Sequence, residues 1–333
     1  MIVDIYTHIF PERFFQELER GSPKLGNMGK RLRSVRKLFD LDLRFKDMDA
    51  IGDDYRQIIS LPNPPIEDIA EGAVANNLAK VANDSMAELV AKYPKRFPAF
   101  AAAVNMNDVD FSIAEAERAI KMGAKGVQTF TNITGHPLDE PRFRPFFAAM
   151  AAHDLPVWIH PARTSAMSDY ASEPRSRFEM WWCFGWPYET TACMTRLIYS
   201  GIFDELPTLK IISHHMGGMI PYFAGKIKLG FKQIFFGAPD HNPEALQAGL
   251  RKPPLDYFKM LYADTALGEV GPTRCGHDFF GTAHSLFATD APFDSEVGRG
   301  LIRNTIAAVN ALEIPQSEKD AIFSGNAKKL LKL

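Results

Sequence analysis

The sequence predicts an α/β protein, a (β/α)₈ barrel with loop insertions, on three observations. Short runs rich in β-branched and aromatic residues alternate with amphipathic stretches, the pattern of βα units around a parallel sheet. These runs number eight, a count that favours a closed barrel over an open doubly wound sheet. Polar and ionisable residues recur at the C-terminal ends of the runs, where such a barrel builds its site. Barrels commonly reach 333 residues as one unit, so residues 1–333 are read as a single domain.

The expected strands are 2–8, 56–61, 97–105, 126–131, 155–160, 209–215, 260–265 and 285–290, with helices such as 110–122 and 190–199 between them. Two stretches read as insertions. Residues 21–37 are basic and Gly-containing (GSPKLGNMGKRLRSVRK), and a short charge run of this kind is usually a solvated face. Residues 163–187 are long and aromatic, with Trp181, Trp182 and Trp186, and follow the fifth strand, where active-site loops of barrels lie.

Composition narrows the partners. A hydrophobic fraction of 46%, 23% charged residues and a formal charge of -2 give no electrostatic case for nucleic acid or an anionic membrane, so a small molecule is expected. No apolar run approaches the ~18 residues that span a bilayer, and MIVDIYTHIF lacks a signal-peptide pattern, so the expected location is cytoplasmic. Cys183, Cys193 and Cys275 are odd in number and widely spaced, which suits buried thiols rather than a disulfide framework or a cysteine metal cluster.

The strand ends carry the chemistry. Side chains alternate along a strand, so in VDIYTH the residues Asp4, Tyr6 and His8 are expected on one face, toward the barrel axis. VWIHP ends in His160, KIISHH in His214 and His215, and LFATDAPF in Asp290. Buried ionisable groups need partners, and a divalent cation collects several acceptors in one place. His8, His160, Asp290 and one histidine of the sixth strand are therefore candidates to share such a cation. Zn²⁺ is the first choice and Mn²⁺ the second, with an open position for water or substrate. Alternation admits only one of the adjacent histidines to the site. His215 is chosen because it enters the glycine-containing turn HMGGM, leaving His214 to point toward the helices. The absence of HExxH, GxGxxG and GxxxxGK patterns argues against zincin, dinucleotide and P-loop enzymes.

With these residues placed, the chain resembles the amidohydrolase superfamily, in particular its aminocarboxymuconate-semialdehyde decarboxylase-like branch, which includes γ-resorcylate decarboxylases. The resemblance runs nearly end to end, and is most specific in PYETTACMTRLIYSGIFDELPTLKIISHHMGGMIPYFAGKI and LFATDAPF. It implies that His8 and His160 ligate a single metal, that Asp290 ligates and also moves a proton, and that His215 is the active-site histidine. It further implies a small carboxylic acid substrate, no organic cofactor and a homo-oligomer. Arg44, in LDLRFKDMDA, matches an arginine ahead of the family's MD motif and is expected either to clamp a substrate carboxylate or to lie on a helix surface.

One departure stands out: the family carries HxH or ExH at the first strand, whereas this chain reads Tyr6-Thr7-His8. A phenol must lose its proton to bind a metal strongly, so Tyr6 either fills the interior, hydrogen-bonds substrate or metal-bound water, or ligates as phenolate. Trp182, and Phe293 beside Asp290, are further candidate substrate contacts; Trp182 equally suits a subunit interface and Phe293 the core. The resemblance favours non-oxidative decarboxylation of a hydroxybenzoate-like acid. Hydrolysis of a lactone or amide on the same residues, and a metal-poor, non-catalytic binding protein, are the alternatives.

Overall fold

Each of the eight expected runs forms a strand in the computed structural model, which describes residues 1–21, 32–234, 249–294, 296 and 298–333. The strands are β1 (Ile2–His8), β2 (Tyr55–Ser60), β3 (Phe100–Ala103), β4 (Ala124–Phe130), β5 (Val157–His160), β6 (Ile211–Ser213), β7 (Tyr262–Asp264) and β8 (Ser285–Leu286). They pair in parallel in that order in one sheet. A parallel bridge from Thr7 to Ala291 returns the last strand region to the first. Ile5 N donating to Phe287 O at 3.0 Å and His8 N to Ala291 O at 2.9 Å complete the ring.

Parallel strands require crossovers, and helices supply them. Leu41–Ile51, Gly72–Lys92, Val109–Lys121, Arg144–His153, Gly185–Tyr199, Ala224–Ile234, Val270–Phe280 and Arg299–Asn310 follow the eight strands in turn. Val109–Lys121 matches the sequence expectation to within a residue, helped by Asp108, whose carboxylate caps Phe111 N at 3.0 Å. Gly185–Tyr199 begins earlier than expected, inside the aromatic insertion. Most of the basic insertion lies outside the described residues.

Two apolar layers hold the barrel. Phe100, Val127, Val157, Ile159 and Ile211 face the helices, while Ile58, Ala101, Trp158, Ile212, Leu286 and Ala288 fill the interior. Trp158 fits because Gly126 leaves space: a Cβ on Gly126, at φ +147°, would stand 2.5 Å from the indole and 2.2 Å from Pro156 O. Ala327, Leu330 and Leu331 of the C-terminal helix join this interior layer.

The first strand corrects the strict alternation expected of it. Its register against β2 shifts between Asp4 and Thr7. Val3, Ile5 and Tyr6 consequently all join the interior layer. Asp4 turns away to accept from Tyr55 Oη at 2.5 Å and from Thr289 Oγ1 at 2.6 Å. A bulge inserts one residue and changes the facing of those on either side of it, which is how Tyr6 and His8 face inward without Asp4.

Candidate metal centre

His8 ends β1 and His160 ends β5, both fully or nearly fully buried at the C-terminal mouth of the barrel. Each is oriented by a main-chain carbonyl. His8 Nδ1 donates to Leu61 O at 3.1 Å, and His160 Nδ1 donates to Pro161 O at 2.8 Å, a carbonyl that also accepts from Asn63 Nδ2 at 3.3 Å. These contacts on Nδ1 turn each Nε2 toward the centre of the barrel.

Asp290 lies four residues beyond the end of β8, at φ +60°, a left-handed turn that brings its carboxylate back over the mouth. Its Oδ1 is 2.9 Å from His8 Nε2. Burial alone would raise this carboxyl, but His214, His215 and His8 together hold it well below the usual carboxylate range. His160 is held neutral: burial, then the neighbouring His214 and His8, push it well below the ordinary imidazole value. Ligand atoms of His8, His160 and Asp290 all lie within 4.8 Å of one another, as do those of His214, His215 and Asp290. Two imidazoles whose Nδ1 atoms are anchored on main-chain carbonyls and a carboxylate held low suit a divalent cation, and this donor set fits the metal that the resemblance implies.

The adjacent histidines overturn the expectation that only one serves the site. β6 ends at Ser213, so His214 keeps the inward parity of Ile212. His215 and Met216 then take φ +53° and +50°, breaking the alternation, and His215 swings onto the same side. His214 Nε2 and His215 Nε2 each stand 3.7 Å from an Asp290 oxygen. His214 Nδ1 contacts Asp264 Oδ2 at 2.6 Å. Although burial opposes the charge, Asp264 and Asp290 raise the imidazole to about 9. Asp264 ends β7 in YADTALG, so the strand-end pattern that marks Asp290 marks it too.

Tyr6 sits among the ligands, with ring centroids 5.0 Å from His8, 5.8 Å from His160 and 4.5 Å from His214. Its buried Oη has no hydrogen-bond partner. Burial, reinforced by Asp264 and Asp290, pushes the phenol well above 10, which disfavours the phenolate.

Arg44 lies elsewhere. It is 4% exposed and donates from Nη1 to Gln57 Oε1 at 2.8 Å, from Nη2 to His8 O, and from Nε to Lys37 O at 3.4 Å. It lies on neither the cavity wall nor the helix surface, since its donors are spent behind the first strand. Arg163 is the cation that lines the cavity, among the described residues, with Glu189 Oε1 3.5 Å from its Nη1. Gly185 makes room for it, because a Cβ there would meet Arg163 Cδ at 2.5 Å.

The cavity over the mouth measures about 660 Å³. His160, His215 and Asp290 form its polar floor, and Trp181, Trp182, Trp186 and Phe293 are among its walls. Phe293 is 42% exposed with its ring 5.6 Å from His8, so it belongs to the rim rather than the core. Cys183, expected as a buried thiol, is exposed on this same wall, at the end of the short helix Met180–Cys183 that follows β5.

An eight-stranded parallel barrel with a histidine–carboxylate cluster at its C-terminal mouth is the arrangement of a metal-dependent barrel enzyme. The amidohydrolase family pattern matches residues 3–333, and the chain belongs to that family. It is 32% identical to γ-resorcylate decarboxylase of Polaromonas sp. strain JS666 over 89% of each chain. Identity is 25% to 2-amino-3-carboxymuconate-6-semialdehyde decarboxylase of Dictyostelium discoideum, over 99% of this chain and 91% of the other. The fold superposes with a TM-score of 0.79 on a dihydroxybenzoic acid decarboxylase from Polaromonas sp. JS666, solved with manganese and 2-nitroresorcinol. That protein is 28% identical, with 100% of this chain and 97% of the other covered. The kinship with the decarboxylase branch expected from the motifs is thus borne out.

Proposed function

We propose that the protein is a metal-dependent, non-oxidative decarboxylase of a small hydroxybenzoate-like aromatic acid. The observation that carries this reading is the cluster of His8, His160 and Asp290 beneath a tryptophan-walled cavity, in a chain related end to end to decarboxylases of such acids. A bound divalent cation would fix the carboxylate and its neighbouring hydroxyl and make that hydroxyl more acidic. Mn²⁺ replaces Zn²⁺ as first choice, because manganese accompanies the dihydroxybenzoic acid decarboxylase and the nitrogen and oxygen donors here accept either.

The chain's own residues supply the rest. Trp181, Trp182 and Trp186 offer apolar faces to an aromatic ring and keep water from it. Arg163 is the cavity's cation for an acidic group, the role the sequence suggested for Arg44. Asp290 takes the proton of the hydroxyl adjacent to the carboxylate and delivers it to the ring carbon bearing that carboxylate. The C–C bond then breaks, its electron pair restores the aromatic ring, CO₂ departs, and the product phenolate recovers a proton from water. Asp290, ionised at rest, is the acceptor of that proton, and once protonated it is the acid that hands it to the ring carbon. His215, on the cavity floor with Nε2 toward Asp290, orients the substrate.

Incubation of the Mn²⁺-loaded protein with a panel of hydroxybenzoates should release CO₂ and the corresponding phenol. Cleavage of lactones or amides with no CO₂ from any acid would replace this reading with the hydrolase one.

A further inference from the structure

The first strand supplies one side chain fewer to the cluster than the family pattern provides, since Tyr6 stands where a histidine or glutamate is usual. Its phenol is buried and unpartnered, and its ring packs edge-on against His214 at 4.5 Å. His214 is 0% exposed. Asp264 pins it: one carboxylate oxygen meets His214 Nδ1 at 2.6 Å, while the other accepts from His215 N at 3.1 Å and Ala266 N at 3.2 Å. A carboxylate on Nδ1 fixes the tautomer that leaves Nε2 free to ligate, as in carboxylate–histidine–metal arrangements.

His214 Nε2 is buried with no hydrogen-bond partner, a costly state for an imidazole nitrogen. It lies 3.7 Å from Asp290 Oδ1, which itself lies 2.9 Å from His8 Nε2, and the His214 and His160 rings are 5.1 Å apart. Atoms sharing one ion at about 2.1 Å each are roughly 3 to 4 Å apart. His215 differs: it lines the cavity and lies alongside the Trp186 ring at 6.3 Å, on the substrate side.

We propose that His214 Nε2 is a metal ligand alongside His8, His160 and Asp290, compensating for Tyr6, with Asp264 as its orienting partner. This rests on the metal-dependent reading above. It makes His214, rather than the HMGG-turn histidine beside it, the contribution of the sixth strand to the metal.

X-ray absorption on the full chain loaded with Zn²⁺ alone counts imidazoles directly: three are expected, and two would overturn the proposal. Wild-type protein that retains no Zn²⁺ or Mn²⁺ would instead sink the metal reading and this proposal with it. Chelator competition should show His214→Ala weakening Zn²⁺ binding at least 100-fold, Asp264→Asn 10- to 100-fold and His215→Ala less than 5-fold. Undiminished affinity in His214→Ala, or loss of the third imidazole in His215→Ala, would refute it. The wild-type count stands even if His214→Ala fails to fold.

Discussion

Replacing Arg44 separates the role its sequence context suggests from the role its surroundings impose. The guanidinium makes two strong contacts, to Gln57 Oε1 and His8 O, and a weaker one to Lys37 O. Burial lowers it to about 10, with Tyr55, Asp4 and Asp47 opposing, so it remains charged at neutral pH. Hydrogen bonds to a charged group contribute about 1.5–3 kcal/mol each, and truncation leaves buried acceptors unpaired beside a cavity. Arg44→Met should therefore destabilise the fold by about 3–5 kcal/mol. With an unfolding entropy near 2.1 cal/mol/K per residue over 333 residues, this corresponds to a Tm decrease of about 4–7 °C. Arg44→Lys should recover only part, since one ammonium cannot span the fork. Calorimetry reads the shift, and steady-state kinetics on the most reactive acid reads KM. An unchanged Tm with KM raised tenfold or more would show that Arg44 clamps substrate after all.

Other expectations follow from single features. Gly126→Ala forces a Cβ to 2.2 Å from Pro156 O at φ +147°, so it should cost more than about 3 kcal/mol in urea unfolding; a loss below 1 kcal/mol would mean that β4 and β5 yield easily. Glu67 is buried, and that burial pushes its carboxyl up to about 7 despite the bond from Met106 N. A folded value above the unfolded one gives stability present below about pH 4.5 and lost as pH rises through 7, by up to about 1.4 kcal/mol per pH unit. Asp4, also raised to about 7, acts in the same direction. Glu67→Gln should flatten the wild-type decline between pH 5 and 8, and parallel curves would exclude Glu67 as a source. Trp186→Ala should raise KM several-fold while leaving Zn²⁺ affinity within a factor of about three, because its ring meets His160 edge-on at 5.3 Å without sharing its metal-facing atoms; equal loss of both would place Trp186 in the support of the metal.

The strand runs and their polar ends were legible in the sequence because period-2 patterning and a terminal His or Asp are local properties. His8, His160 and Asp290 stand at three such ends, and the closed barrel brings them into one cluster. Tyr6 was visible as a departure for the same reason.

What the sequence could not decide was every direction set by closing the ring. Asp4 was read inward and lies outward because pairing with β2 shifts register, and that shift depends on a partner about 50 residues away. His214 and His215 both face the centre because β6 stops at Ser213 and the next residues turn left-handed. Arg44 looked available for substrate because the carbonyl that captures it belongs to His8, 36 residues earlier. Sequence therefore determined the residue types and strand ends from which the site is built. Tertiary structure decided which atoms remain free, because a buried hydrogen-bonding group is committed by whichever distant partner the closed barrel brings to it.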